Sequence, residues 1–427
     1  MSRFSITLQS LHDEVSSLER KLDESEASKF LYDEVAATLR RILREPVYHL
    51  RDQLDQNDSF DLVITWMKLE NRTVRSIRLA DLQAPKIFLQ NELRWVRTMV
   101  EHFSLWADGI EPVYTEDEIE ELENSDVDTG VDDEVILLDQ IKGALYGFAI
   151  GDALGATTEF MMPDEIQRKH GRITEFLGGG WLSLEPGETT DDTAMTLCVA
   201  EGILDSPRDP IDSIGRLFLH WQATHPPDIG VTVRHALAAY QGDWARAAKK
   251  THLELGGKSA GNGTLMRCLP VALAYPDLQK MEDITVRQSK MTHFDDLASE
   301  ACLIYNRIAH RVLNGENLRV AMVLETEETP YRNTFLQRPT ARPDGFVVNT
   351  LTWVFYLLWT YPTFAEVVQQ AANEGYDSDT VGAIAGGLKG LATGHGPLSD
   401  WGNKLKGADR LNYVAKKLLE LRMSQLA

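Results

Sequence analysis

Apolar residues recur at helical spacing along most of this chain. Near the start, Leu8, Leu11, Val15, Leu18 and Leu22 share one helix face, and residues 30–50 continue the pattern through Leu31, Val35, Leu39 and Leu43. A third helix is predicted after Pro85, carrying Ile87, Leu89, Leu93, Val96, Met99 and Val100. Residues 60–66 between them fit a strand or a short helix, because periodicity alone does not decide over so short a run. Further along, the helices become rich in small residues: 139–153, 193–204, 300–313, 347–359 and 380–392 all read helical. Ala and Gly on a helix face let backbones approach closely, as a compact multi-helix core needs. Few segments alternate with a period of two, so the fold class predicted is all-α.

Charge divides the chain. Between positions 111 and 134 half of the residues are Asp or Glu and none is basic. A run of like charge is normally solvated, which makes this segment a boundary. The expected organisation is a mainly helical extension over residues 1–110, an acidic linker over 111–134, and a compact helical domain over 135–427. At 427 residues the chain is long enough for that division. The formal net charge of −22 argues against a nucleic-acid binder, which would carry a basic face, and suits a basic partner. Cys198, Cys268 and Cys302 are odd in number, far apart and in apolar surroundings, so they read as reduced core thiols. The start, Met1-Ser2-Arg3-Phe4-Ser5, lacks a basic-then-apolar signal pattern, and the most apolar stretch, 353–359, is far short of the roughly 20 residues that span a bilayer. A cytoplasmic location without membrane attachment is the expectation.

Two acidic quartets carry the candidate chemistry: Thr190-Asp191-Asp192-Thr193 and Asp377-Ser378-Asp379-Thr380, each followed by a helical run. Carboxylates this close repel, and burying them together calls for cations between them. Oxygen donors without Cys or a His-x-x-x-His pair point to Mg²⁺ or Mn²⁺ rather than zinc. The plain alternative is that Thr and Asp before an apolar helix are N-caps. Asp377 and Asp379 are two positions apart and would not share a helix face, so both are expected on a turn before the helix. An EF-hand is excluded, because the twelfth position from Asp377 is Leu388. In Gly151-Asp152-Ala153-Leu154-Gly155 the glycines read as helix packing and Asp152 as a cap, while Glu159 beside Phe160 has the apolar neighbour that suits an acid to proton transfer. The loop from Gly256 to Thr264 matches neither a Walker loop nor a dinucleotide fingerprint; it reads equally as a diphosphate cradle or a flexible loop. His293 reads as a core histidine or a pocket residue.

In this order the motifs resemble the ADP-ribosylglycohydrolase family over residues 136–424. The resemblance rests on GALYGFAIGDALGATTEF, PGETTDDTAM, PPDIGVTV, GNGTLMRCLP, the Thr292-His293 pair, RPDGFVVNTL, GYDSDTVGAIAGGLKG and Trp401-Gly402. It implies an all-helical fold with a dinuclear Mg²⁺ or Mn²⁺ centre held by Thr190, Asp191, Asp192, Asp377, Asp379 and Thr380. It further implies that Glu159 is an acid near the metals, on a loop that gates the site, and that Asp228 is an acid near the scissile bond. Gly261, Asn262, Gly263 and Thr264 would contact the diphosphate, and His293, Gly345 and Phe346 would line the ADP-ribose pocket. Two positions depart from the family pattern: Tyr376 replaces a small residue and is expected to narrow the pocket or stack on substrate, and Asn349 stands where Asp is frequent.

The implied activity is metal-dependent removal of ADP-ribose from a modified protein side chain, arginine first, with serine or an ester behind it. The extension has no counterpart in the family pattern. It reads as a device that binds and occludes an ADP-ribosyltransferase toxin, making the chain an immunity protein, or as a dimerising or stabilising element. A metal phosphohydrolase ranks last, since it leaves the glycine-rich and RPDGF segments unexplained.

Overall fold

The computed structural model describes residues 3–24, 29–42, 86–107 and 133–426, together with positions 69, 73, 76, 77 and 80. It divides into two compact units, Met1–Ile136 and Leu137–Ala427. Among the described residues the regular elements are all helices, with no strand. Two isolated bridges pair Gly179 with Leu184 and Gly261 with Phe346. The all-α expectation therefore holds. No helix among the described residues is long and apolar enough to cross a membrane. Leu43, the 60–66 segment and the acidic residues 111–132 lie outside the described residues.

The first unit contains α1 (Arg3–Glu24), α2 (Lys29–Ile42) and α3 (Lys86–Ala107). Each buries the stripe its periodicity predicts: Leu8, Leu11, Val15, Leu18 and Leu22 on α1, Leu31, Val35 and Leu39 on α2, Leu89, Leu93, Val96, Met99 and Val100 on α3. Ion pairs border the seams, with Arg97 Nε 2.6 Å from Glu19 and Arg41 Nη1 2.7 Å from Glu14.

The second unit opens with α4 (Asp133–Gly155), α5 (Pro163–His170), α6 (Asp191–Asp205), α7 (Ile211–Ala223), α8 (Val231–Ala239) and α9 (Trp244–Glu254). A 3₁₀ turn, Asn262–Arg267, leads into α10 (Leu269–Ala274), α11 (Leu278–Lys290), α12 (Asp296–Leu313) and α13 (Leu318–Thr326). The last part holds α14 (Val347–Thr360), α15 (Phe364–Glu374), α16 (Ser378–Thr393), the short α17 (Ser399–Gly402) and α18 (Ala408–Leu426). The five helices read from the sequence are present as α4, α6, α12, α14 and α16. Six of those missed (α5, α7, α9, α11, α15 and α18) are amphipathic, with a polar face and a narrow buried one, and fall outside the small-residue apolar runs on which the reading rested.

The core contact is the antiparallel pairing of α4 with α16, made through glycines four residues apart. A Cβ on Gly143 would lie 2.2 Å from the Gly390 carbonyl oxygen, one on Gly147 2.4 Å from Gly386, and one on Gly151 1.9 Å from Gly382. At the C-terminal end of α4, a Cβ on Gly155 would lie 2.3 Å from the Ser378 carbonyl oxygen. The two backbones touch, and no side chain fits between them. The Ser378 hydroxyl donates to the Gly155 carbonyl at 2.9 Å, and Thr158 Oγ1 donates to the Ala372 carbonyl at 2.6 Å, fixing the register.

A second support lies under the 260–264 loop. Asn262 N donates to Gly345 O and Val347 N to Ala260 O, both at 3.0 Å, which ties this loop to the start of α14. The His293 imidazole fills the space beneath: a Cβ on Gly261 would approach its Nε2 to 3.0 Å and one on Gly263 its Cε1 to 3.2 Å. Nδ1 meets Thr292 Oγ1 at 2.8 Å, and that hydroxyl accepts from Nη2 of the fully buried Arg267 at 2.9 Å. Burial, and then the charge of Arg267, hold the His293 pKa down to about 3.

Two outcomes follow from this packing. Gly151→Ala forces α4 and α16 apart and is expected to cost about 3 kcal/mol or more; a thermal midpoint within a degree of wild type would show that the close approach is dispensable. His293 is neutral when folded, and its ordinary pKa when unfolded is 6.5. Between the two values the unfolded chain binds the extra proton, so lowering the pH below about 6.5 removes stability at up to about 1.4 kcal/mol per pH unit. Thermal unfolding at pH 7 and pH 5.5 is therefore expected to shift less for His293→Gln than for wild type, and equal shifts would refute the linkage.

Candidate active site

Four helix ends and two loops converge at one end of the α4–α16 pair. Thr190 caps α6, its hydroxyl accepting from Asp192 N at 3.3 Å, so Asp191 and Asp192 occupy the first helical turn. Asp377 is the N-cap residue of α16, but its side chain caps nothing. Asp379 lies inside the first turn of α16 rather than on a turn before it. Its burial beside Glu159 and Asp377, instead of a shared helix face, is what directs it into the site.

The two quartets meet directly. Thr380 Oγ1 donates to Asp192 Oδ2 at 3.2 Å, and Thr190 Oγ1 donates to the same oxygen at 3.3 Å. Glu159, Asp377 and Asp379 each present an oxygen, and these oxygens all lie within 4.8 Å of one another. Asp192 Oδ1 and Asp379 Oδ1 are buried without a hydrogen-bond partner among the described residues. A buried carboxylate oxygen left in that state is costly unless a cation meets it.

Asp152 has a different place. From α4 it accepts Thr190 N at 3.0 and 3.1 Å, Thr193 N at 3.1 Å and the Thr193 hydroxyl. It caps α6 from a neighbouring helix, where free N–H groups and the helix dipole favour an anion. Burial still raises its pKa to about 6 against those bonds. Asp377 Oδ2 accepts from Asn262 Nδ2 at 2.6 Å, and burial likewise pushes Asp377 to about 6.

Glu159 stands in the turn after α4, 7% exposed, with Oε2 accepting the Trp181 indole N–H at 2.5 Å. Burial first, and the charges of Asp228, Asp377 and Asp152 next, raise its pKa to about 8 despite that bond. Desolvation also holds Asp191, Asp192 and Asp379 well above the usual carboxylate range. Asp191 and Asp228 share a hydrogen bond that stabilises the Asp228 carboxylate and the Asp191 acid; burial nonetheless raises Asp228 as well. Seven carboxyl groups thus act on one another across a small volume, an arrangement suited to divalent cations and proton transfer.

The other predicted residues fall around this centre. Asn262 joins it through Asp377. Its backbone N–H is already given to Gly345, which leaves Gly263 and Thr264 to present N–H groups at the start of the 3₁₀ turn. The Thr264 side chain is fully buried and accepts from Cys302 at 3.4 Å. His293 is 1% exposed beneath the glycines, while Gly345 and Phe346 are exposed at the start of α14. Tyr376 has φ +58 and Phe160 φ +62, a region that bulky residues rarely adopt. They are held there by Phe160 N donating to Tyr376 O at 2.6 Å and Tyr376 N donating to Met161 O at 2.9 Å. Trp181 escaped the sequence reading, although three glycines in a row, Gly178-Gly179-Gly180, mark its turn.

The comparisons with known proteins agree with this fold. The family model described as ADP-ribosylglycohydrolase matches residues 133–426. ADP-ribosyl-[dinitrogen reductase] glycohydrolase of Rhodospirillum rubrum is 33% identical over 272 residues, covering 62% of this chain and 90% of that protein. ADP-ribosylarginine hydrolase Tri1 of Serratia proteamaculans (strain 568) is 30% identical over 298 residues, covering 66% of this chain and 79% of its own length. A solved structure titled ADP-ribosylglycohydrolase-related protein complex superposes with a TM-score of 0.58 at 29% identity, over 67% of this chain and 98% of that one. An acidic centre of this build, on a helical fold matched from α4 to α18, leads to one conclusion: the chain belongs to the ADP-ribosylglycohydrolase family.

Proposed function

We propose that this protein is a divalent-metal-dependent hydrolase that releases ADP-ribose from modified arginine side chains. Hydrolytic removal of ADP-ribose comes with the family. The arginine linkage is supported by similarity to a relative named an ADP-ribosylarginine hydrolase. The observation that carries the metal is the pair of buried, unpartnered oxygens, Asp192 Oδ1 and Asp379 Oδ1, one from each quartet. They stand in an all-oxygen set whose carboxyl groups burial holds well above the usual carboxylate range. These residues fit two Mg²⁺ or Mn²⁺ ions, with Thr190, Asp191, Asp192, Asp377, Asp379 and Thr380 as the holding groups.

Bound there, the cations would orient the distal ribose hydroxyls and lower the pKa of a water. The chain's own groups would do the rest. Glu159, fixed by the Trp181 N–H, is the acid that gives its proton to the leaving guanidino nitrogen. Asp228, hydrogen-bonded to Asp191, is the second proton carrier. Asn262 orients Asp377, and the N–H groups of Gly263 and Thr264 would receive the diphosphate over the His293 support. Gly345, Phe346 and Tyr376 would border the ADP-ribose.

We propose in addition that residues 1–110 and the acidic segment 111–134 form a partner-binding arm ahead of the catalytic domain, 135–427, and that its partner is an ADP-ribosyltransferase. What supports this is a separate helical unit with its own buried stripes, outside the family match, leading into a segment whose charge suits a basic surface.

Asp192→Asn and Asp379→Ala are each expected to abolish metal uptake by calorimetry and to lower release of ADP-ribose from an arginine-modified protein more than about 100-fold. Turnover that survives both substitutions, or that is indifferent to chelator, would sink the metal assignment. A chain starting at residue 133 is expected to keep turnover and lose the transferase in a pull-down; a truncated chain that still binds it would refute the arm.

A further inference from the structure

We propose that Phe160 and Trp181 form the surface on which the arginine side chain of the substrate stacks, and that this pair sets a preference for a planar cationic leaving group over a hydroxyl one. The inference rests on the hydrolase reading above and adds the residues that choose the substrate.

Phe160 is 67% exposed and Trp181 48% exposed, with ring centroids 5.4 Å apart and planes tilted by 54°. Two large aromatic rings left open side by side are a recognition feature more often than an accident of packing. Neither is on a loose loop. Trp181 follows Gly178, Gly179 and Gly180, all at positive φ, in a turn closed by paired bonds between Gly179 and Leu184 at 2.7 and 2.9 Å. A Cβ on Gly180 would lie 2.4 Å from the Ala156 carbonyl oxygen, so only glycine lets this turn seat against the end of α4. Phe160 is fixed in its left-handed conformation by its N–H donating to Tyr376 O and by the Tyr376 N–H donating to Met161 O. The fold thus bears backbone strain in order to hold Phe160 open to solvent.

What these rings face decides the ligand. The Trp181 N–H is bonded to Glu159, and Phe160 is its chain neighbour. Glu159 in turn feels the charges of Asp228, Asp377 and Asp152. Among the described residues no Lys or Arg of the chain stacks on either ring, although such pairs occur elsewhere, as with Arg342 over Tyr376 and Lys290 over Phe294. Open aromatic faces beside a surplus of carboxylates complement a flat, delocalised cation, which is the guanidinium of arginine. A serine linkage offers these rings neither charge nor a planar face.

The full-length protein would be assayed on arginine-linked and serine-linked ADP-ribosyl peptides of one sequence, recording kcat, KM and inhibition by free ADP-ribose. Trp181→Leu and Phe160→Leu are each expected to raise KM for the arginine-linked peptide about 10-fold. KM for the serine-linked peptide should stay within about twofold and inhibition by ADP-ribose should be unchanged, while Trp181→Leu, which also loses the donor to Glu159, lowers kcat for both linkages. Trp181→Phe keeps a ring but loses the donor to Glu159, so its KM should stay close to wild type while kcat falls. Unchanged KM values, equal rises for both linkages, or weaker ADP-ribose inhibition would each overturn the proposal. Wild-type turnover of the serine-linked peptide alone would overturn it and leave the hydrolase standing. Turnover of neither peptide would overturn the proposed function as well.

Discussion

The backbone contact between α4 and α16 is the constraint from which the site follows. Glycine inside a helix costs about 0.5–1 kcal/mol relative to alanine, and these two helices carry several. The cost is offset by close packing along the whole seam, where every fourth residue of α4 meets a carbonyl of α16. Because the helices run antiparallel, the C-terminal end of α4 lies against the N-terminal end of α16. That places Asp152 and Glu159 beside Asp377 and Asp379 without any loop having to find them. Thr158 and Ser378, 3.1 Å apart through their hydroxyls, close the end of the seam.

Seven carboxyl groups cannot share a buried site without division of labour. Asp152 is consumed by capping α6, with both oxygens occupied by N–H and hydroxyl donors. Asp377 is held by Asn262, and one oxygen of Asp192 by two threonines. The free oxygens of Asp192 and Asp379 are what remains, and they come from the two different quartets. The hydrogen bonds that fix the acids therefore also select which oxygens stay available, and a cation would join what the chain keeps apart.

Much of this was legible in the sequence, and what was not has a physical reason. The quartets mark helix starts whether they are caps or ligands, and Thr190 turns out to be a cap as well as a neighbour of Asp192. The four-residue glycine spacing on α4 reads as packing, but its partner glycines lie more than 230 residues away and nothing local names them. Asp152 reads as a cap, and the helix it caps, α6, is chosen by the fold and not by sequence distance. Trp181 was invisible, since a Gly-Gly-Gly-Trp string reads as a turn until its N–H is found on Glu159. The strained φ of Phe160 and Tyr376 could not be read either: each is tolerable only because the other's backbone holds it.

The same economy of charge reaches the rim. Asp344 Oδ1 accepts from Phe346 N at 3.1 Å and from Asn349 Nδ2 at 3.0 Å, while the Asp344 carbonyl accepts from Thr350 Oγ1 at 3.0 Å. Thr350 Oγ1 in turn accepts from Asn262 Nδ2, the amide that also holds Asp377. A carboxylate at position 349 would face Asp344 in place of a donor, and Asp344 already raises the pKa of Asp377 through its charge. An amide there keeps the start of α14 fixed without adding a further acid beside Asp344. Asn349 therefore brings no charge to the approach to Asp377.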